Sequence, residues 1–238
     1  MTDAEQPDGD KVTLPLFPLQ TVLLPGAVLP LHLFEPRYRQ LAVDLLTGAV
    51  PDRRFGIVAM RTAAVREVET VDHVHTVGCT ALLGDSKRLP DGRFDIVTTG
   101  ERRFRLLDVD HTRAPYLVGT VEWLADEPMP TGASEATARL SEAARSAYRR
   151  YCEAAWERDS WSSPAPDTAT DELSYLLAAD CLLPLADRQL LLEETHPLRR
   201  LRKVCRLLSR EAGFLSTLHA VPAPPPDLPT VTTRASLN

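Results

Sequence analysis

Two histidines on a short stretch of chain are the residues of this sequence that come nearest to a metal-binding pattern. His73 and His75 are two positions apart, so on a strand their side chains would project from the same face, and Asp72 precedes them directly. Structural zinc normally takes four protein ligands, and no third ligand stands at a recognisable spacing. We therefore expect a solvated edge strand here, and we predict neither a metal nor any other cofactor.

The patterns that support covalent or acid–base catalysis are absent from the sequence. There is no Gly-x-Ser-x-Gly turn for a nucleophilic serine and no Gly-x-x-x-x-Gly-Lys-Ser/Thr loop for a nucleotide phosphate. Neighbouring carboxylates are most simply solvent-facing charges, since an acid–base pair needs a pocket that separates two pKa values. The four cysteines lie far apart among apolar neighbours, as is typical of buried free thiols. The sequence predicts a protein without enzymatic activity of its own.

A basic stripe runs along the last predicted helix, where cations recur at positions i, i+1, i+4, i+7 and i+11 opposite the leucines. Such a stripe is a candidate face for RNA or for an acidic protein segment. A solvated face whose cations pair with nearby acids explains the same pattern, and we favour that interpretation. The aromatic residues that support single-strand binding are missing here, since Phe214 stands alone. The stripe consists of Arg199, Arg200, Lys203, Arg206 and Arg210.

The composition is that of a globular protein with a sizeable core. Among 238 residues, 44% are hydrophobic and 25% are charged, and the net charge is −6. That charge argues against binding nucleic acid or anionic membrane through the whole surface. The polar N-terminus does not resemble a signal peptide, and no apolar run reaches the ~18 residues of a membrane span. We expect a cytoplasmic protein that does not bind membranes.

The chain divides into four segments. Residues 1–11 are acidic and aperiodic, and residues 221–238 contain five prolines, so both are predicted to be disordered tails. In residues 12–126, short apolar runs broken by prolines predict bent strands, which together with one helix suggest a small, partly open β-barrel. In residues 127–220 the apolar positions recur with helical spacing and predict a small helical bundle. The predicted fold class is α+β.

The single helix of the β-rich segment has clear boundaries in the sequence. Glu35 stands where a capping side chain belongs, Pro36 suits the first turn, and Gly48 stands where the helix would end. Between them, apolar residues from Tyr38 to Leu46 recur with helical spacing and form one face. We predict that this face packs on the strands.

Several short motifs, taken in order, resemble the N-terminal domain of Lon proteases. They begin with LPLFPL at residues 14–19, TVLLPG at 21–26 and LPLHLFEPRY at 29–38. FGIV at 55–58, VGCT at 77–80, GERRF at 100–104 and LPL at 183–185 follow in the expected order. Each motif is short and apolar, so the resemblance rests on their shared order and spacing across roughly residues 12–212.

This resemblance implies a PUA-like β-rich subdomain followed by a helical one. In full Lon proteases the region precedes an ATPase and a peptidase, neither of which is recognisable here, and it helps to select unfolded or tagged substrates. The resemblance therefore implies a stand-alone, non-enzymatic module that binds unfolded or apolar polypeptide segments, as an adaptor or as a receptor for a separate protease. An RNA-binding PUA-like module that uses the basic stripe is the alternative.

A receptor for unfolded chains needs a shallow apolar groove or an open strand edge. The proline-broken strands near the N-terminus are the segments of this sequence that would supply either. The candidate polypeptide-binding residues are Leu24, Leu29, Leu31, Leu33 and Arg37.

Overall fold

Strands fill the first half of the protein and helices the second. A computed structural model describes residues 11–62, 67–156 and 161–218. The predicted tails at 1–11 and 221–238 lie outside the described residues, apart from Lys11. Within the described ranges, six strands are followed by four helices, and one further helix and two single-turn 3₁₀ helices interrupt the strands. The α+β class predicted from the sequence is confirmed.

The six strands form one mixed sheet. They are β1 (Val12–Leu19), β2 (Val28–Leu33), β3 (Arg54–Ala59), β4 (Val77–Arg88), β5 (Phe94–Asp110) and β6 (Val118–Trp123). Their order is β2-β5-β4-β3-β1-β6; β1 runs parallel to β3, and the other pairs are antiparallel. Because β5 is long enough to pair with β6 as well, the sheet curves back on itself. It is partly ring-like rather than a barrel.

The long strand β5 alternates buried and exposed side chains over its first half, which places one face on the core. Gly100 interrupts the row of buried side chains where the backbone of the loop between β1 and β2 crosses the strand. A Cβ atom on Gly100 would lie 2.2 Å from the carbonyl oxygen of Leu24, so only glycine fits there. The sequence predicts strands from the short apolar runs of residues 12–126, but the run at 21–24 forms a loop held against β5.

The first helix, α1 (Pro36–Thr47), begins and ends where the sequence indicated. Gly48 follows it with a φ of 83°, the left-handed conformation that ends many helices. The prediction for Glu35 was wrong, because its side chain makes no capping hydrogen bond. Its carboxylate instead accepts a 2.9 Å hydrogen bond from Nε of Arg37. The salt bridge to Arg37 thus replaces the predicted cap.

The described part of the second half contains four helices, α2 (Ser134–Ala155), α3 (Thr170–Ala179), α4 (Leu185–Glu193) and α5 (Pro197–Leu218). α5 packs along α2 and also contacts α3. One cluster of buried apolar residues includes side chains of both halves, from Phe55 on β3 to Leu177 on α3 and Leu208 on α5. The helical half is therefore packed directly on the sheet. Within the described ranges, no helix has both the length and the apolar character needed to cross a membrane.

Candidate functional site

A groove of about 670 Å³ opens between β2, the start of α1 and the segment that precedes β6. Its volume lies in the range of small-ligand and peptide-anchor sites. We call it the β2–α1 groove. The side chains of its apolar lining are Phe17, Leu19, Leu29, Leu31, Phe34, Tyr38, Met60, Val68, Tyr116 and Leu117.

The floor of the groove is aromatic. Phe17 at the end of β1 and Tyr38 in the first turn of α1 face each other, with ring centroids 3.9 Å apart and planes tilted by 33°. The Arg37 guanidinium lies 4.8 Å from the centroid of the Tyr38 ring. Burial raises the pKa of Tyr38 to about 12, so its phenol stays neutral at physiological pH. The floor therefore offers apolar surface and no negative charge.

One wall of the groove carries an unusually exposed aromatic ring. Phe34 lies between β2 and α1 with 58% of its surface accessible. Its ring stacks at 6.4 Å on that of His32, whose Nδ1 lies 2.6 Å from a carboxylate oxygen of Asp95 on β5. Covering a large apolar side chain stabilises a complex by about 1.5–3 kcal/mol, so Phe34 favours an occupant of this groove.

Three of the five candidate polypeptide-binding residues line the groove. Leu29, Leu31 and Arg37 do so, and both leucines are only partly buried. The structure contradicts the placement of the other two, since Leu24 and Leu33 are buried in the core and do not line it. Leu24 belongs to the loop that crosses β5, and its side chain is buried in the core. Leu33 projects from the same face of β2 as Leu29 and Leu31, but its side chain is more deeply buried.

The sequence did not single out the aromatic members of the site. Phe34 is out of phase with Leu29, Leu31 and Leu33, and that break in the alternation was the available signal for an exposed ring. No local pattern links β2 to Val68 and Tyr116, which come from distant parts of the chain. Their contribution follows from the fold alone.

The basic stripe on α5 does not form one exposed face. Arg200 is fully buried, which contradicts its assignment to an exposed RNA-binding or partner-binding face. Arg199 pairs with Glu127 at 2.8 Å, and Lys203 pairs with Glu194 at 2.8 Å. Arg210 pairs with two acids, Asp187 and Glu211. Of the five residues, only Arg206 has no ion pair within the described part of the chain. The solvated, ion-paired interpretation fits this arrangement.

Arg200 belongs to a buried network between the two halves. Its guanidinium donates hydrogen bonds of 2.8 Å and 2.6 Å to the two carboxylate oxygens of Asp126, and its Nε donates to the Ser174 hydroxyl at 2.8 Å. Arg103 on β5 donates to the same carboxylate. Arg103 also donates to the carbonyl oxygens of Leu192 and Glu194. Asp126 thus joins the sheet to α5.

The prediction of an edge strand at the two histidines was wrong. His73 ends a 3₁₀ helix (Val71–His73), and Val74 forms one isolated bridge with Met60. His75 Nδ1 lies 3.8 Å from a carboxylate oxygen of Glu193, and burial lowers the pKa of this histidine. Within the described ranges, no three His, Cys, Asp or Glu side chains are grouped as a metal site would require.

Comparisons with known proteins agree with this architecture. The family model of the ATP-dependent protease La (LON) substrate-binding domain matches residues 13–210. The Lon protease of Trichlorobacter lovleyi is 28% identical over 206 residues, a region that covers 85% of this chain and 24% of that protein. The Lon protease of Anaeromyxobacter dehalogenans is 26% identical over the same shares of the two chains. The chain therefore spans about a quarter of the length of the curated relatives it matches.

Two solved structures show the same fold. The Lon N-terminal domain protein from Xanthomonas campestris superposes with a TM-score of 0.56 at 25% identity, covering 82% of this chain and 98% of that one. The N-terminal domain of a Mycobacterium avium complex Lon protease gives a TM-score of 0.62 at 20% identity, covering 83% and 98%. At that identity the second likeness supports the fold alone. Both cover the sheet and the helical half together.

Proposed function

This chain belongs to the family of Lon substrate-binding domains, and on that premise we propose that it binds unfolded or apolar polypeptide segments in the β2–α1 groove. Membership of the family supports a substrate-recognition module, and the choice of groove and of ligand is our proposal. The observation that carries it is Phe34, a large aromatic ring left 58% exposed beside an aromatic floor.

The size of the groove sets the expected strength of binding. A volume of about 670 Å³ accommodates a few apolar side chains rather than a folded surface. Three anchors at about 2 kcal/mol each would give roughly 6 kcal/mol, which corresponds to a Kd on the order of tens of micromolar before the segment's ordering entropy is subtracted. Weak, reversible binding suits a receptor that samples many unrelated segments.

The edge strand favours recognition through side chains. β2 is the terminal strand of the sheet and pairs with β5. Pro30 stands in the middle of β2, where it has no N–H to donate to an added strand. A bound segment would therefore be held by its side chains in the groove rather than by a backbone ladder. Such a mode tolerates many sequences as long as they are apolar.

The proposal assigns no reaction to this chain. Burial raises the pKa of the Cys79 thiol to about 12 and also raises the pKa values of Cys152 and Cys181, which keeps these thiols protonated and poorly nucleophilic. Delivery of the captured segment to a separate protease, as an adaptor or stand-alone receptor, is part of the proposal. We do not extend it to RNA, because most of the basic stripe is paired with acids of the chain itself.

Fluorescence anisotropy with a labelled, apolar polypeptide that cannot fold tests the proposal, with labelled single-stranded RNA measured in parallel at low and moderate salt. We expect binding of the polypeptide with a Kd on the order of tens of micromolar, and we expect it to survive added salt. Phe34→Ala should weaken it by about ten-fold, since the exposed part of the ring contributes about 1–2 kcal/mol when covered.

Phe214→Ala is the matched control, because Phe214 is 52% exposed on α5 and does not line the groove. That variant should bind as the unchanged protein does. Absence of polypeptide binding at tens of micromolar, or equal losses in the two variants, would contradict the proposal. Salt-sensitive binding of RNA alone would favour the alternative.

A further inference from the structure

The rim of the β2–α1 groove carries more negative than positive charge. Among the described residues that line it, three carboxylates, Glu35, Glu67 and Glu69, face one guanidinium, that of Arg37. Arg37 forms a 2.8 Å salt bridge with Glu35, and its nearest approach to Glu67 is 3.9 Å. Glu35 is therefore neutralised within the rim, whereas Glu67 is only weakly paired.

The backbone of Glu69 makes two polar contacts with histidine rings, and its carboxylate remains available to a ligand. Its N–H donates to Nδ1 of His73 at 3.2 Å, and its carbonyl oxygen lies 2.9 Å from Nε2 of His111, which also lines the groove. The side chain of Glu69 has no ion pair within the described part of the chain. Glu67, two residues earlier, is 76% exposed. Two exposed carboxylates thus line the apolar groove.

We infer that the groove selects apolar segments that carry a lysine or arginine next to the apolar stretch, and disfavours segments flanked by acidic residues. This inference rests on the proposed function and adds a charge preference to it. The apolar part would occupy the floor formed by Phe17 and Tyr38, and the cation would reach the carboxylates of Glu67 and Glu69. Both carboxylates are solvent-exposed, so each pair contributes about a 1.5- to 5-fold gain in affinity, and two pairs together about 5-fold.

Two labelled short peptides with the same apolar core test the inference, one flanked by lysines and the other by glutamates. At low salt the lysine-flanked peptide should bind about 5-fold more tightly. In about 1 M salt, where the Debye length is ~3 Å, the difference should disappear while binding of the apolar core remains. An equal affinity for the two peptides at low salt would overturn the inference.

The double variant Glu67→Gln/Glu69→Gln should abolish the preference and leave the affinity for the glutamate-flanked peptide unchanged or improved. The matched control is Glu135→Gln/Glu142→Gln on α2, which changes the net charge equally and does not alter the groove lining. If the control variant loses the preference as well, the effect comes from overall charge and the inference is wrong.

The same experiment separates the inference from the proposed function. If neither peptide binds at either salt concentration, or if Phe34→Ala leaves binding intact, the proposed function itself fails. If both peptides bind equally and Phe34→Ala weakens both, the groove is the binding site and the charge preference alone is refuted.

Discussion

Replacing Asp126 with asparagine should lower the free energy of unfolding by about 3 kcal/mol, which is large for one exchange of similar shape. The Asp126 side chain is 25% exposed and accepts hydrogen bonds from two buried guanidiniums, those of Arg103 and Arg200. The asparagine keeps one oxygen acceptor but removes the negative charge and presents an amide group to the arginines. Two buried cations then face each other without a counter-ion.

The size of the expected loss in unfolding free energy depends on the hydrogen-bond acceptors that each guanidinium keeps in the variant. Removing one partner of a buried ion pair typically costs 3–5 kcal/mol. In this protein Arg200 keeps the Ser174 hydroxyl and the carbonyl oxygens of Glu194 and Asp171, and Arg103 keeps two carbonyl oxygens. These acceptors place the loss near the lower end, about 3 kcal/mol. In a domain of this size the corresponding drop in Tm is about 6–12 °C.

Urea unfolding followed by circular dichroism measures the loss, and a thermal scan checks the shift in Tm. Glu127→Gln is the matched control, because Glu127 is the next residue and forms a largely exposed salt bridge with Arg199. The control should be destabilised much less than Asp126→Asn, because solvent screens this exposed pair. If Asp126→Asn destabilises the protein no more than Glu127→Gln does, the network does not join the two halves as described.

Two further predictions concern titratable groups. Of the four cysteines only Cys205, which is partly exposed, should react with a thiol reagent at pH 8 in the native protein, and all four should react in denaturant; fast reaction of a second thiol without denaturant would contradict the assigned burial. Burial opposes ionisation of Glu194, but the hydrogen bonds from Lys203 and the His196 N–H outweigh it and lower its pKa. Its contribution to stability is therefore present above the unfolded-state pKa and lost as pH falls through the folded value. Glu194→Gln should thus destabilise the protein more at pH 7 than at pH 3; an equal loss at both pH values would refute the linkage.

Local periodicity was enough to predict the helices and the α+β class. The helix α1 begins and ends at the proline and glycine that the sequence offered. The pairing of the strands was beyond local pattern, since the parallel contact of β1 with β3 and the double pairing of β5 depend on residues far apart in the chain. The sequence predicted a partly open barrel, and these distant pairings give it the form of a partly ring-like sheet.

Arg200 shows how a local signal can be present and still be misinterpreted. It stands one turn before Val204, which is buried, so its helical phase is that of the inward face rather than that of Arg199 and Lys203. A buried arginine is unexpected unless a partner is known, and its partner Asp126 lies 74 positions away. The helical spacing therefore indicated that Arg200 faces inward, but no local pattern indicated that Asp126 would be its buried partner.

Pro30 has a consequence for how long a captured segment would stay. Without a ladder of backbone hydrogen bonds, a complex with a Kd of tens of micromolar and an ordinary association rate of about 10⁶ M⁻¹s⁻¹ dissociates at tens of events per second. Its lifetime is then some tens of milliseconds. Under the proposed function, each segment would be released unless a protease engaged it within that interval. Pro30 would therefore limit the lifetime of the complex as well as prevent the addition of a strand to β2.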